Sequence, residues 1–369
     1  MVRCSKEVTV KRKFLAPAVA VFATAALALS ACGEAPEGGA DAKKSDFKAC
    51  IISDEGGWDD KSFNQSSKDG FDRAVKDFGL QEAVAESKDK SDYSQNVDTM
   101  VQNGCNIIYG VGFNLAAELG KSAKQNTDIE YALVDSYFSD ENGETVEYDN
   151  AKPLVFNTAE AAYLAGYVAA GTSKTGKVAT FGGMQIPSVS IFMDGFADGV
   201  DCYNKDHDGK VELLGWDKAK QKGSFVGNFS DQGQGQALTD QFISQGADIV
   251  MPVAGPVGLG AAESAKKHGD VSLVWVDADG YETTEYGDLM LTSVLKEMSN
   301  AVYDSAKEAS EDKFTGEPYV GDLKNEGVSI APFHDYEDKV SDEVKQGVEK
   351  IKQEIIDGTT KVETENAPK

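Results

Sequence analysis

Acidic, aromatic and glycine residues recur in the loops that follow the predicted strands. Asp54 begins the loop after the first strand, and Asp135 and Asp277 end two later strands. Phe229 and Gly255 stand in two further loops of the same kind. Carboxylates bind hydroxyl and amide-like N–H groups, aromatic rings offer stacking faces, and glycine lets a backbone approach a ligand closely. This combination favours a neutral or cationic polyhydroxylated or heteroaromatic ligand over an anionic phosphate.

Catalytic and cofactor chemistry has less support in the sequence. The histidines are too few for a multi-histidine metal site, and none lies in a predicted ligand loop. They are His207, His268 and His334. Paired carboxylates such as Asp54 and Asp60 could do acid–base work, but no nucleophile, base and orienting group are apparent together. The sequence therefore favours binding over catalysis and predicts no cofactor.

One segment has the alternating oxygen ligands of a calcium loop. Asn204, Asp206 and Asp208 stand at alternate positions, and Gly209 follows them. The first ligand is Asn instead of Asp, however, and the twelfth position is Gly215 instead of Glu. An acidic helix-to-strand turn is the favoured interpretation, with a weak calcium site as the alternative.

The composition limits the classes of partner that the chain is expected to bind. The chain has 369 residues, with 36 Lys and Arg against 62 Asp and Glu, and a formal net charge of −26. Binding to nucleic acid needs clustered Lys and Arg, so this acidity argues against a nucleic-acid partner. It argues equally against broad docking on anionic lipid. Hydrophobic residues make up 41% of the chain, which is enough for a large core.

The first 31 residues are typical of a secretory signal. A basic start precedes an apolar run over residues 14–29, which is too short for a confident transmembrane helix. Leu29-Ser30-Ala31-Cys32 then matches the lipobox at which bacterial lipoproteins are processed. We expect Cys32 to become the lipid-bearing N-terminus, with residues 32–46 as a flexible tether. The lipid anchor would be the only contact with the cell membrane, on its extracytoplasmic face.

The elements that must position the loops alternate between strand and helix, and the pattern runs twice. Repeated βα units predict two parallel-sheet α/β domains with a ligand cleft at the strand ends. Residues 47–157 with about 290–320 are predicted to form an N-terminal lobe, and 158–289 with about 321–357 a C-terminal lobe, followed by a tail over 358–369. A helix is expected over residues 294–309 and a hairpin over 319–332.

Two cysteines open predicted strands of the N-terminal lobe. Cys50 and Cys105 are expected to be small buried hydrophobic residues. A disulfide between them is the alternative in an oxidising compartment.

Several motifs resemble one family of bacterial lipoproteins. They are DDKSFNQ at 59–65, YLAGY at 163–167, GGM at 182–184, GF at 195–196, GAD at 246–248 and LTSVLK at 291–296. In order and spacing they resemble the BMP family, also called basic membrane protein or PnrA-like nucleoside-binding proteins, over about residues 47–357. The resemblance implies a type I periplasmic-binding-protein fold and an ABC-transporter substrate receptor. The partners it implies are a nucleoside, with a purine favoured, and ABC permease subunits.

The resemblance also implies roles for individual residues. Phe63 and Phe229 would sandwich the base, and Asp54 would bind the edge of the base. The remaining implied contacts are Asn64 beside Phe63, Asp135 and Gly255 on either side of the cleft, and Asp277 and Lys296 at the ribose hydroxyls. A receptor for a sugar or another small molecule on the same fold stays open as an alternative. A less favoured one is an extracellular nucleoside or sugar hydrolase.

Overall fold

The structure is a computed structural model that describes residues 45–369, all within one compact unit. The predicted signal segment, Cys32 and nearly all of the predicted tether lie outside these residues. The strands are β1 (Lys48–Ser53), β2 (Gln81–Glu86), β3 (Ile107–Val111), β4 (Glu130–Val134), β5 (Ala151–Phe156), β6 (Lys177–Gly182), β7 (Glu212–Leu214), β8 (Trp216–Asp217), β9 (Lys222–Gly223), β10 (Ile249–Val253), β11 (Ser272–Asp277), β12 (Met290–Lys296), β13 (Tyr319–Gly321) and β14 (Val328–Ile330).

Helices follow most of the strands. They are α1 (Phe63–Phe78), α2 (Asp92–Gln102), α3 (Ala116–Gln125), α4 (Thr158–Thr172), α5 (Pro187–Asp206), α6 (Gln232–Ser244), α7 (Val257–His268), α8 (Gly280–Thr283), α9 (Met298–Ser310) and α10 (Asp342–Ile356). None of the helices within residues 45–369 combines the length and the apolar character needed to cross a bilayer.

Two six-stranded sheets organise these elements. The first has the order β13-β5-β4-β3-β1-β2 and the second β14-β12-β11-β10-β6-β7. Every pairing within them is parallel except that of β14 with β12. We call the first sheet with α1–α3 and α9 the first lobe, and the second sheet with α4–α8 and α10 the second lobe. The predicted α/β fold with parallel sheets is confirmed.

Sequence composition explains why the central strands form. β1 reads KACIIS and is buried from Ala49 onward, as expected of a parallel strand covered on both faces.

α4 and α5 approach closely because small residues line their contact. A Cβ on Gly166 would lie 2.2 Å from the Phe196 carbonyl oxygen, and one on Gly199 would lie 2.0 Å from that of Tyr163. This close packing fixes α5, whose first turn faces the cavity described below.

The C-terminal third departs from the sequence-based expectations. The helix predicted over residues 294–309 begins only at Met298, because the chain up to Lys296 continues as β12 beside β11. The predicted hairpin at 319–332 is wrong: β13 pairs with β5 and β14 pairs with β12, so the two strands lie in different sheets. β12 belongs to the second sheet, so the segment from residue 290 to 296 lies in the second lobe instead of the first. Among the strands and helices of residues 45–369, the chain passes from one lobe to the other three times, after β5, β12 and β13.

Cys50 and Cys105 form a disulfide, which was the less favoured of the two interpretations. Both residues are buried, Cys50 within β1 and Cys105 two residues before β3, and their Cα atoms are 6.0 Å apart. That separation is within the range of a disulfide. The expected burial is correct, and the parallel pairing of β1 with β3 brings the segment that precedes β3 close to Cys50.

Candidate functional site

The carboxyl ends of the strands of both sheets surround one cavity. Its empty volume is about 580 Å³, including its open mouth. The structure brings all eight residues of the sequence-predicted site to the wall of this cavity. They are Asp54, Phe63, Asn64, Asp135, Phe229, Gly255, Asp277 and Lys296.

Lys296 joins the two lobes at the base of the cavity. Its ammonium lies 2.6 Å from Oδ2 of Asp135, at the end of β4, and 3.3 Å from Oδ1 of Asp277, at the end of β11. Its side chain is 3% exposed. Burial alone would lower the pKa of Lys296, but the two carboxylates outweigh burial and raise it, so the amine stays charged. Burial raises the pKa of Asp135 to about 6, against the opposing effect of Lys296.

The two carboxylates around Lys296 are held by strained backbone and by neighbouring hydrogen bonds. Asp135 and Asp277 have φ angles of 63° and 71°, in the left-handed region that few residues other than glycine adopt. The Asp135 amide donates to the Leu154 carbonyl at 2.7 Å. The Ser62 hydroxyl lies 3.0 Å from Asp277 Oδ2. Backbone strain of this kind collects at functional sites, where the surrounding structure enforces it.

Aromatic rings form the apolar part of the wall. Lys296 Nζ lies 5.3 Å from the centroid of the Phe63 ring and 4.9 Å from that of Phe192. Phe229 meets Phe113 edge to face, with ring centroids 6.4 Å apart. Gly183 makes room for Phe229, because a Cβ at this position would lie 2.4 Å from its ring. Flat apolar surface and fixed charge therefore lie within one cavity.

Asp54 is a further buried carboxyl group in the wall. It is 6% exposed and accepts a hydrogen bond of 3.3 Å from Asn114 Nδ2. Gly112 permits this position, because a Cβ there would lie 1.9 Å from Asp54 Oδ2. Burial, with repulsion from Glu55 and Asp60, raises the pKa of Asp54 to about 8. A carboxyl group with this pKa can be protonated at neutral pH and can then donate a hydrogen bond to a ligand.

Asp60 orders the start of α1. Its carboxylate accepts hydrogen bonds from the amides of Ser62, Asn64 and Gln65 at 3.1, 2.8 and 3.0 Å. These bonds satisfy the free amides of the first turn. They give Asp60 a structural task, although the sequence had suggested a carboxylate pair with Asp54.

Asn64 directs an unsatisfied acceptor at the same wall. Its Nδ2 donates to the Glu55 carbonyl at 2.9 Å. Its Oδ1 is buried and has no hydrogen-bond partner among residues 45–369. Buried polar atoms are nearly always paired, so a ligand N–H or O–H is the natural partner for this oxygen.

Several wall residues were missed by sequence reasoning. They are Phe113, Ile186, Ser188, Val189 and Phe192. Four of them belong to or directly precede α5, which begins at Pro187. Proline favours the first position of a helix, and Pro187 stands soon after the GGM motif at 182–184. That combination could have identified this turn as a second source of contacts.

The calcium alternative at Asn204, Asp206 and Asp208 does not fit the geometry. Both side-chain atoms of Asn204 are used by Val211: Oδ1 accepts from its amide at 2.8 Å and Nδ2 donates to its carbonyl at 2.9 Å. α5 continues through Asp206, so the segment does not form a loop around an ion. Within residues 45–369, no cluster of three or more His, Cys, Asp or Glu side chains is arranged to hold a metal. The favoured interpretation, a helix-to-strand turn, agrees with this geometry.

Comparison with known proteins gives this site a family context. The profile of the Bmp family, described as ABC transporter substrate-binding protein PnrA-like, matches residues 47–366. A Lactococcus lactis protein named ABC transporter nucleoside-binding protein BmpA is 31% identical over 368 residues, 94% of this chain and 97% of that protein. A CD4+ T-cell-stimulating antigen of Listeria monocytogenes is 29% identical, covering 95% of this chain and 99% of its own.

Solved structures support the same architecture. An ABC transporter solute-binding protein from Aeropyrum pernix superposes with a TM-score of 0.76 at 25% identity, over 85% of this chain and 92% of that one. A solute-binding protein from Bacillus halodurans with bound myo-inositol superposes with a TM-score of 0.56 at 13% identity, over 80% of this chain and 99% of that one. The second likeness shows the fold alone. Together they confirm the predicted periplasmic-binding-protein fold.

Proposed function

This chain belongs to the Bmp family of PnrA-like ABC transporter substrate-binding proteins, and we propose that it binds a nucleoside, with a purine favoured, in the cavity between its lobes. It would hand the nucleoside to ABC permease subunits. It would act at the extracytoplasmic face of the cell membrane, held there by a lipid on Cys32.

The arrangement around Lys296 carries this proposal. A cation paired with Asp135 and Asp277 offers both donors and acceptors to the vicinal hydroxyls of a pentose. Phe63 borders the same cation, at 5.3 Å from its ring centroid. The charged groups and the aromatic ring therefore lie next to each other. A ligand that joins a polyhydroxylated ring to a flat heterocycle matches both surfaces, and a nucleoside is such a ligand.

The aromatic wall supports a nucleoside over a simple sugar. Stacking a base on an aromatic side chain contributes about 1–3 kcal/mol, so Phe63 and Phe229 together would supply a large part of a micromolar affinity, which corresponds to about −8 kcal/mol. Asp54 and the free Oδ1 of Asn64 offer hydrogen bonds to the base edge. The L. lactis relative is itself named as nucleoside-binding.

A ligand panel tests the proposal. Isothermal titration with purine nucleosides, pyrimidine nucleosides, free bases and ribose, followed by mass spectrometry of the recovered ligand, separates three functions. Saturable binding of a nucleoside that is recovered unchanged supports the receptor. Binding of sugars alone supports a sugar receptor, and conversion of the ligand supports a hydrolase. Either of these two results contradicts the proposal.

The lipid anchor is tested separately in cells. We expect the Cys32→Ser variant to leave the membrane fraction, because the acyl chains and not the acidic protein surface would hold the protein there. Retention of this variant on membranes at high salt would rule out anchoring through Cys32. The matched control is Cys4→Ser, which changes a cysteine ahead of the lipobox.

A further inference from the structure

Residues 363–369 cross from one lobe to the other. Thr364 Oγ1 donates to Asp194 Oδ2 at 2.5 Å, and Asn366 Nδ2 donates to the same oxygen at 2.9 Å. Asn366 also donates to Gln221 Oε1 at 3.0 Å. The Lys218 ammonium donates to the Glu363 carbonyl at 2.5 Å. These partners all belong to the second lobe.

Asp194 is a buried anchor for this segment. Its carboxylate is fully buried within α5, and its Oδ1 accepts from Trp216 Nε1 and from Gln221 Nε2, both at 2.9 Å. With Thr364 and Asn366 on Oδ2, the carboxylate has four donors. A buried carboxylate is tolerated when it is satisfied in this way, so the segment completes the hydrogen bonding of a core residue.

The far end of the segment reaches the first lobe. The Tyr137 hydroxyl donates to the Lys369 carbonyl at 2.8 Å and accepts from the Lys369 amide at 2.9 Å. Tyr137 stands two residues after Asp135, in the loop between β4 and β5. This anchor is exposed to solvent, whereas the one at Asp194 is buried. Release of residues 363–369 from the protein surface would therefore begin at Tyr137.

The segment also walls a second cavity that adjoins the ligand cavity. Residues 365–369 line this space, whose empty volume is about 1150 Å³ including open solvent. Asp135 and Ser188 line both cavities. A ligand that leaves past Asp135 would therefore pass beneath this segment.

We propose that residues 363–369 form a strap that joins the two lobes across one mouth of the ligand cavity, and that release of the strap from Tyr137 governs ligand exchange. The kinetic part of this inference rests on the proposed function. The strap is anchored to α5, whose first two turns contribute Ser188 and Phe192 to the ligand cavity. Separation of the lobes stretches the strap, so it must detach at its exposed end before the mouth opens.

Stopped-flow measurement of purine nucleoside binding, followed by intrinsic tryptophan fluorescence, tests the strap. In Tyr137→Phe the association and dissociation rates should each rise about fivefold, the change expected from loss of one or two exposed hydrogen bonds. The Kd should change less than twofold, because opening of the strap assists entry and exit alike. The matched control is Tyr303→Phe, which removes a hydroxyl that donates to Asp77 at 3.3 Å, away from the cleft.

Rates in Tyr137→Phe that equal those of the unchanged protein would overturn the proposal. So would a change of Kd carried by dissociation alone, which is the effect of an ordinary ligand contact. A chain that ends after Val362 provides a second variant, and it should exchange ligand at least as fast as Tyr137→Phe.

Hydrogen exchange separates failure of the strap from failure of the proposed function, because it needs no ligand. The Lys369 amide should be protected in the unchanged protein and should exchange faster in Tyr137→Phe. Asp194→Asn should increase exchange across the whole of residues 363–369. If no nucleoside binds but this protection is observed, the proposed function is contradicted and the strap proposal is supported. Equal exchange in all three proteins would contradict the strap proposal.

Discussion

Four carboxyl groups and one amine are buried around the cavity, and their burial opposes folding unless each charge is paired. Lys296 satisfies Asp135 directly and lies 3.3 Å from Asp277. Within residues 45–369, Asp54 has Asn114 as its one side-chain partner, at 3.3 Å. Taking such groups out of water lowers stability, and proteins accept this loss mainly at functional sites. The cavity is therefore built for binding at the expense of the free energy of unfolding.

Asp54→Asn should reveal, as a function of pH, how much stability the buried Asp54 carboxylate removes. The pKa of Asp54 is about 8 in the folded protein, against an ordinary value of 3.8 for an aspartic acid. The folded state then holds the proton more tightly than the unfolded state, so Asp54 lowers stability as pH rises from about 4 to about 8. Because each pKa unit corresponds to about 1.4 kcal/mol, the Asn variant should gain several kcal/mol near pH 8 and almost nothing near pH 4.

Urea unfolding at a series of pH values measures this effect. The exposed Asp98→Asn variant in α2 is the matched control and should show no such slope. An Asp54→Asn variant whose stability follows that of the unchanged protein at every pH would contradict the burial argument. The same variant should bind the nucleoside more weakly if Asp54 contacts the base.

Phe63→Ala should weaken nucleoside binding at least tenfold, because it removes one stacking face. Phe78→Ala, at the other end of α1, is the control: its ring packs on Tyr303 at 4.9 Å, so the substitution should reduce stability but leave affinity unchanged. Titration calorimetry on both variants measures the difference. Equal affinity in Phe63→Ala and the unchanged protein would remove the stacking role.

Sequence reasoning reached the carboxylates of the site more readily than its rings. Asp54, Asp135 and Asp277 each end a strand, and strand ends of a parallel sheet share one edge, so their convergence was predictable. Phe113 and Phe192 were missed. Phe192 lies on a helix where an aromatic residue is usually part of the core, and nothing local distinguishes a ring that faces a cavity.

Among the helices and strands, those defined by their local sequence were easier to predict than those defined by pairing with a distant strand. β4 and α1 are defined locally, by apolar runs and turn residues. Residues 294–296, the end of β12, were predicted as the start of a helix, although β-branched residues of this strand suit a sheet and β11 lies beside it. β13 and β14 look like a hairpin in sequence, but their partners lie far away in the chain, which a local pattern cannot reveal.

The disulfide between β1 and β3 makes a prediction at this scale. It closes a loop with a sequence separation of 55 residues, for which the chain-entropy model gives about 4 kcal/mol of stabilisation. Replacing both residues, as Cys50→Ala with Cys105→Ala, should therefore lower the free energy of unfolding by about 2–4 kcal/mol. Urea unfolding measures it.

Nucleoside affinity is the internal control for the disulfide variant, because neither cysteine lines the ligand cavity. We expect the affinity to stay within a factor of two. Unchanged stability would show that the bond does not constrain the unfolded chain.

For the whole molecule, direct contacts between the lobes hold the cleft together. Lys296 reaches Asp135 across the cleft, Ser62 reaches Asp277, and Thr283 Oγ1 donates to the Lys61 carbonyl at 3.0 Å. These contacts join residues of the two lobes, so they favour the closed cleft. A ligand that binds the closed form shifts the same equilibrium.

Ser62→Ala should shift the ligand-free protein towards an open cleft. The Ser62 hydroxyl is buried and lies 3.0 Å from Asp277 Oδ2 and 3.1 Å from the Val276 carbonyl. Its loss should increase the radius of gyration without ligand and raise the nucleoside Kd about three- to tenfold. Small-angle scattering and calorimetry measure the two effects. Ser67→Ala on the same helix, whose hydroxyl donates to the Phe63 carbonyl at 3.1 Å, should show neither.

The central claim is that the cleft holds a nucleoside, with its base against aromatic rings and its pentose at the Lys296 carboxylate pair. A crystal structure of the protein with the tightest-binding nucleoside of the panel tests it most directly. We expect the base between Phe63 and Phe229 and the ribose hydroxyls within hydrogen-bond distance of Asp135, Asp277 and Lys296. A ligand bound outside this cavity, or inside it with its base away from both rings, would contradict the account.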